Sequence, residues 1–506
     1  MIRVSKSTWP VERVLRVLIA ATSMLVVLLF VETALRRLYV VYELEQLEGN
    51  MFLTALRAFR GQSIYPRPSL SFIPFMYPPV YYYVSAALGH LMGMSISTLR
   101  MVSILSMLGC FAMIYALVWK ESRSFLAAIA GVGLYAGCYS VCQGWFDLGR
   151  IDSLFILLVL ISMYATRHMH PVFAAIAWAL CFQTKQAILP AAFVMLCYNW
   201  KDIKRTVIGV VTLAIAAAGS VAWFNHITDG WYSFYVFQVP RANADLSART
   251  AVVAWPIDLL RPLALACVVI AAAAILTRPS LRSGATRFYL AACSMIPLFW
   301  WIRMHAGSTV NAPMPIYALT AILFGISLDR LLRWLPSLEP DLARNGVLIL
   351  LLAVLAQEGA GIYGTGDFKA SLTMNTSESL RTVVADIQAM PGNVYVAEHP
   401  YYAWLAGKPV EADVTAMQDT LHAATPTVRS ELETQLRNAI ANHEFSAIVL
   451  DRQITSTARL DEALGRPEDW QRDFKVQKLI RNVAGDTKPD LVLTNCPAAG
   501  PQFCAD

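Results

Sequence analysis

Charge is scarce in this sequence. Only 15% of its residues are Asp, Glu, Lys or Arg, against about 25% in a typical soluble domain. That shortfall excludes a chain that faces water along its whole length. Cysteines with zinc-ligand spacing and histidine partners are also lacking, which removes the zinc-module class. Of the nine cysteines, seven (Cys110, Cys138, Cys142, Cys181, Cys197, Cys267 and Cys293) lie inside apolar segments and read as small packing residues. Cys496 and Cys504 differ, since they sit in a Pro/Gly-rich tail where an oxidising compartment would permit a disulfide. The net charge of +6 does not point to nucleic acid. Its Lys and Arg stand in short clusters beside hydrophobic runs, the pattern that orients membrane spans.

What is abundant is apolar sequence: 57% of the residues are hydrophobic. The excess is confined to residues 14–363, while 364–506 has the composition of an ordinary soluble domain, so two domains with different solvents are expected. A bilayer core of about 30 Å takes about 20 apolar helical residues. The runs that approach this are 14–35, 101–118, 124–146, 153–166, 172–184, 186–200, 207–227, 256–277, 288–304, 312–332 and 343–363. They predict a polytopic α-helical membrane protein of about eleven transmembrane helices followed by a soluble α/β domain. The first run, Val14–Leu35, is too long for a signal-peptide core and is read as a retained span.

The basic clusters Lys120/Arg123, Arg167/His168, Lys201/Lys204/Arg205, Arg278/Arg282/Arg287 and Arg330/Arg333 fall in alternate connections. Placing them in the cytoplasm, with the N-terminus, makes the later spans alternate in direction. Segment 79–94 then has no crossing left to make and reads as an interfacial or re-entrant helix. The cost is that Arg36, Arg37, Arg57, Arg60 and Arg67 fall outside. In this topology 36–100, 147–152, Lys185, 228–255, 305–311 and the domain 364–506 share the extracytoplasmic side.

Ionisable residues at membrane depth cost about 2.5–3.5 kcal/mol on insertion scales, and several gather on that one side. Glu48 opens an amphipathic stretch that runs to Gly61. It suits a helix-end carboxylate or a general base. Asp147, Arg150 and Asp152 share one short link, where an N-cap and a loop salt bridge form the bland reading. Lys185 interrupts an apolar hairpin, as a snorkelling side chain or as a point charge for phosphate. Arg303, His305, Ser308 and Asn311 surround Gly307, a group suited to an anionic headgroup. Acids and phosphate-binding cations on one face suit transfer from a phosphate leaving group. A transporter or flippase is the main alternative, but the repeat of broken spans it needs is not seen. A membrane receptor would leave Asp147, Asp152 and Lys185 unexplained.

The order of these elements resembles a family. An outward span leads to an acid-bearing loop, then Gly61…Ile64-Tyr65-Pro66, then Phe75-Met76-Tyr77-Pro78-Pro79-Val80-Tyr81. Asp147-Leu-Gly-Arg-Ile-Asp152 follows, with Thr184-Lys185-Gln186 and His305-Ala-Gly-Ser-Thr-Val-Asn311 after it. Over about residues 14–335 this is similar to the GT-C glycosyltransferases, the broad group of the protein mannosyltransferases and the lipid A aminoarabinose transferases. The resemblance implies a polyprenyl-phosphate sugar donor, a lipid, glycan or protein acceptor, and a bacterial-type inner membrane. It implies catalytic carboxylates at Glu48, with Glu43 and Glu45 as rivals, and at Asp152 or Asp147. It implies substrate contacts at Arg150, Lys185, Arg303, His305, Asn311 and Tyr77. Some members use a divalent metal (Mg or Mn), for which this sequence shows no cluster of its own.

In the C-terminal part, strands are expected at 393–397, 447–451 and 491–494, and helices at 401–405 and 431–442. Neither a Gly-rich phosphate loop nor a nucleophile elbow occurs there. Glu398-His399-Pro400 reads as strand-end turn chemistry rather than an acid–base pair.

Overall fold

The run 14–35 contains neither proline nor glycine, so nothing in it interrupts a helix. In the computed structural model it lies within α1 (Trp9–Leu38). The structure describes residues 9–247, 252–305 apart from 254, 308–334, short stretches between 345 and 356, 374–451 and four short strands between 470 and 495. The expected span 343–363 falls mainly outside the described residues, as do the boundary at 363/364 and the tail cysteines Cys496 and Cys504.

Four of the described helices are long and apolar enough to cross a membrane: α1, α4 (Ile96–Ser122), α9 (Ile203–Ile227) and Met314–Trp334. Their ends follow local chemistry. The Ser95 hydroxyl accepts the Thr98 amide at the start of α4, and Asp202 accepts the Arg205 amide at the start of α9, each satisfying a helix-end donor. Exposed Val14, Val17, Leu25 and Leu28 on α1, with Val207, Val211 and Ile215 on α9, face outward as lipid-facing residues do.

Shorter apolar helices complete the bundle: α5 (Phe125–Val141), α6 (Asp152–His168), α7 (Pro171–Phe182), α8 (Leu189–Leu196) and Arg261–Thr277. α1 packs along α5, α4 along α5 and α6, and Met314–Trp334 against α5 and α4. The last crossing is close. A β-carbon on Gly325 would stand 2.7 Å from the Ala127 carbonyl oxygen, the small-residue contact by which helices pack where lipid supplies no hydrophobic drive.

Three stretches of the expected pattern are short or broken in the structure. Segment 79–94 becomes α3 (Val80–Met92), whose 13 residues reach about 20 Å, less than the hydrocarbon core. It packs on α2 (Glu48–Phe59). The hairpin 172–200 is two short helices, α7 and α8, with Lys185 at the turn between them. The run 288–304 divides at Cys293–Ser294 between Gly284–Ala292 and Met295–Arg303. There the backbone tightens, Ser294 N bonding Ala291 O and Ile296 N bonding Cys293 O at 3.0 Å each.

In the C-terminal part, β1 (Val394–Val396) pairs in parallel with β2 (Ala447–Asp451). Beyond β2 lie Pro489–Asn495 and then Trp470–Asp473, both pairings antiparallel. The helices Met374–Ala389, Pro400–Leu405, Val414–Ala423 and Pro426–Ala441 accompany this sheet. The domain is not tethered loosely. One hydrophobic core runs from α2 and α3 into it. Phe52 of α2 meets Tyr401 at 5.2 Å and Trp404 at 4.8 Å between ring centroids.

Candidate active site

The polar connections picked out in the sequence meet at one end of the bundle, beneath the C-terminal domain. α2 begins at Glu48, where a carboxylate complements the helix dipole. Glu48 is fully buried. Its Oε1 accepts from Arg100 Nε at 3.0 Å and Gly149 N at 2.6 Å, and its Oε2 accepts from Arg100 Nη2 at 2.7 Å and Leu44 N at 2.7 Å. Burial pushes this carboxyl up, but the Arg100 guanidinium and the two amides outweigh it and hold Glu48 below the usual carboxylate range. Each oxygen already accepts two hydrogen bonds, so no lone pair is open to an acceptor hydroxyl. The expectation of Glu48 as a general base therefore meets a physical obstacle in this structure.

Arg100 is the residue that sequence reading missed. Its guanidinium also donates to the carbonyls of Arg37, Val40 and Tyr42, pinning the chain that leaves α1. Its signal was an arginine set among apolar residues in the first turns of α4, just before the expected span 101–118.

The link 147–152 divides its charges three ways. Asp147 pairs with Arg37 at 3.0 Å, and Tyr139 donates to the same oxygen at 3.0 Å. Both partners are enclosed, at 0% and 1% side-chain exposure. Asp147 thus anchors the link to α1 and α5 and is enclosed there with its partner, where the sequence reading expected a catalytic carboxylate. Arg150 turns the other way. It donates to Glu45 Oε2 at 2.6 Å and to the Tyr77 hydroxyl at 3.2 Å. Burial holds the Glu45 carboxyl above its ordinary value against the pull of Arg150.

Asp152 opens α6. Its Oδ1 accepts from Lys185 Nζ at 3.0 Å and its Oδ2 from Asn311 Nδ2 at 3.2 Å. This cluster is more open than the others, since Lys185 retains 14% side-chain exposure. Gln186, beside Lys185, donates to the carbonyls of Met76 and Val236. Of the residues picked out in the sequence, the structure brings Tyr77 to Arg150, and Lys185 and Asn311 to Asp152. Arg303 stands at the side, bonded to Asp258 at 2.8 Å and to the Ser308 carbonyl at 2.7 Å. Asp258 was not foreseen, because it lay unremarked inside the expected span 256–277. His305 is not part of the cluster. Its ring nitrogen bonds the Trp301 carbonyl at 3.0 Å and its backbone bridges to Leu246; Gly307 lies outside the described residues.

Among the described residues, no three His, Cys, Asp or Glu side chains form a set able to hold a metal ion. The carboxylates here face cationic side chains instead. The donor set of the described residues does not fit a resident Mg or Mn ion.

Residues 75–302 match the model of glycosyltransferase family 87. The match takes in Tyr77, Asp147, Arg150, Asp152 and Lys185 and leaves out Glu48 and Arg303. No curated protein matches the sequence significantly. Among solved structures, ArnT from Cupriavidus metallidurans bound to undecaprenyl phosphate superposes with a TM-score of 0.61 at 15% identity, over 94% of this chain and 99% of that one. ArnT from the same organism in the apo state gives a TM-score of 0.59 at 14% identity with the same coverage. At such identity the likeness is one of fold. The family match favours an enzyme over a transporter. Together, the matched family and the shared fold make this chain a multi-pass membrane glycosyltransferase of GT-C architecture.

Proposed function

We propose that the protein moves a sugar from a polyprenyl-phosphate donor to a lipid, glycan or protein acceptor, on the extracytoplasmic side of a bacterial-type inner membrane. The observation that carries this reading is the Asp152–Lys185–Asn311 cluster. It sets an acid beside a primary ammonium at the open edge of an otherwise closed ion-pair network. Undecaprenyl phosphate bound to ArnT, a protein of the same fold, supports the donor class.

In this reading the donor phosphate approaches Lys185, whose compact charge suits it. As Lys185 turns to the phosphate, it releases one oxygen of Asp152. The acceptor oxygen attacks the anomeric carbon, and its proton passes to Asp152. The bond from the anomeric carbon to phosphate oxygen breaks, and the leaving polyprenyl phosphate keeps the electron pair, its charge met by Lys185. One displacement inverts the anomeric centre. Glu48 does not touch the acceptor. It fixes Arg100 and the Gly149 amide, and so the link on which Asp152 stands.

These roles reverse the emphasis of the sequence reading, and two variants separate them. In a transfer assay of purified protein with a panel of polyprenyl-phosphate sugars, Asp152→Asn lowers kcat by about 10²–10⁴-fold, the usual contribution of a positioned base, and leaves donor binding intact. Glu48→Gln lowers transfer together with thermal stability, because Arg100 keeps its buried charge without a carboxylate. If Glu48→Gln instead unfolds at the native temperature, binds donor and loses only kcat, Glu48 is the base.

A further inference from the structure

The Glu398-His399-Pro400 turn reaches far beyond its own strand. His399 is 1% exposed, and its Nδ1 lies 2.7 Å from Glu43 Oε2, on the chain between α1 and α2. Its ring stacks on Tyr402 with centroids 5.1 Å apart and planes 15° from parallel. The fit around Glu43 is tight, for a β-carbon on Gly49 would stand 1.8 Å from Glu43 Oε1.

The grip extends along the whole segment. Tyr401 donates its hydroxyl to the Val41 carbonyl at 3.0 Å. Leu44 N and Glu48 Oε2 bond each other at 2.7 Å, and Glu45 holds Arg150. A stretch without regular structure of its own is thus fixed by two neighbours, the C-terminal domain at Val41 and Glu43 and the membrane bundle at Glu45 and Glu48. If either grip slips by a residue, Glu45 and Glu48 face the wrong arginines. Neither Arg150 nor Arg100, both buried, would then keep its carboxylate.

We propose that His399 is a positioning residue of the transferase site. Its hydrogen bond to Glu43 lets the C-terminal domain set the register of Val41–Glu48, and through it the Arg150 and Arg100 pairs that place Asp152. The proposal rests on the transfer reading given above. A C-terminal domain that served only to cover the site would need apolar contact with α2, which Tyr401 and Trp404 already provide. A buried polar bond to Glu43 adds specificity of register that packing alone does not.

Two substitutions separate the bond from the packing. His399→Phe keeps an aromatic ring for Tyr402 and removes the donor. His399→Asn loses the ring and keeps an N–H where Nδ1 stands. In membranes, His399→Phe is expected to lower kcat by about 10- to 100-fold, the scale of a hydrogen bond to a charged group, with little change in donor KM. His399→Asn is expected to recover most of that loss. Full activity of His399→Phe overturns the proposal, as does an equal loss in both variants. Domain docking is read without any transfer assay. Arg67 and Glu431 form an exposed ion pair at 2.6 Å, so zero-length carbodiimide coupling of Arg67→Lys to Glu431 must join the loop to the domain. Failure of that coupling overturns the proposal whatever the enzyme does. Successful coupling, with no transfer by the unaltered protein from any donor, strikes the transfer reading, and the stated role of His399 falls with it.

Discussion

Four acids at this end of the bundle each have a cation in contact. Arg37 meets Asp147, Arg100 meets Glu48, Arg150 meets Glu45 and Lys185 meets Asp152. Pairing is what lets such groups persist away from water, because a lone buried ion costs several kcal/mol. It also makes single neutralisations harsher than double ones. Asp147→Asn leaves the enclosed Arg37 with a charge and no carboxylate, so it is expected to destabilise the protein by about 3–5 kcal/mol. Adding Arg37→Gln removes the orphan charge and should restore much of that loss. Thermal unfolding of the purified protein in detergent measures both, and equal midpoints for the single and double variants would show the pair to be independent. Most of the individual residues, though not Arg100, were visible in the sequence, because charge among apolar neighbours stands out. Their pairing was not. Glu48 and Arg100 are 52 positions apart and Arg150 and Glu45 are 105 apart, a separation that no local pattern records.

At the scale of elements, periodicity and composition were enough for the long apolar helices and for the small α/β domain. They failed where a run's length hid a break, as at Cys293–Ser294. Hydropathy counts residues and does not see backbone hydrogen bonds tighten. The amphipathic stretch that became α2 was legible, but its neighbours were not. α2 lies against the C-terminal helix Pro400–Leu405, and Gly49 is a point of close approach. A β-carbon there would sit 1.8 Å from Glu43 Oε1 and 2.6 Å from Tyr401 Cβ. Neither is free to retreat, since Glu43 is held by His399 and Tyr401 by Trp404 and Phe52. Gly49→Ala is therefore expected to push α2 off the domain, at the 1–3 kcal/mol or so typical of overpacking, and to cut transfer more than donor binding. Gly49→Ala with a normal unfolding midpoint and normal kcat would mean that this contact yields cheaply.

For the whole molecule, orientation is the open quantity, and the arginines of the first loop bear on it. Arg36, Arg37, Arg57, Arg60 and Arg67 set the simple charge rule against an extracytoplasmic loop. The structure shows how four of these charges are engaged, while Arg60 is exposed. Arg36 pairs with Glu32, Arg37 with Asp147 and Arg67 with Glu431, while Arg57 donates to the Ser63 carbonyl and lies 4.5 Å from the centre of the Phe72 ring. Charges held by partners are weaker guides to the side than free ones, because the rule describes free Lys and Arg held back in the cytoplasm, and of these Arg37 alone is enclosed with its acid. On the charge rule the later clusters, with exposed Lys204 among them, are expected in the cytoplasm. The first loop and the C-terminal domain are then expected outside, and the contacts between the two require a common side. In spheroplasts of a variant with Cys496 and Cys504 changed to Ser, a membrane-impermeant maleimide is expected to label Ser71→Cys in the loop and Thr434→Cys in the domain, both exposed sites. Lys204→Cys should label only after lysis. The reverse pattern would invert the whole chain in the membrane. Labelling of Ser71→Cys and Thr434→Cys from opposite sides would break the shared core of α2 and the C-terminal domain, and with it the site built between them.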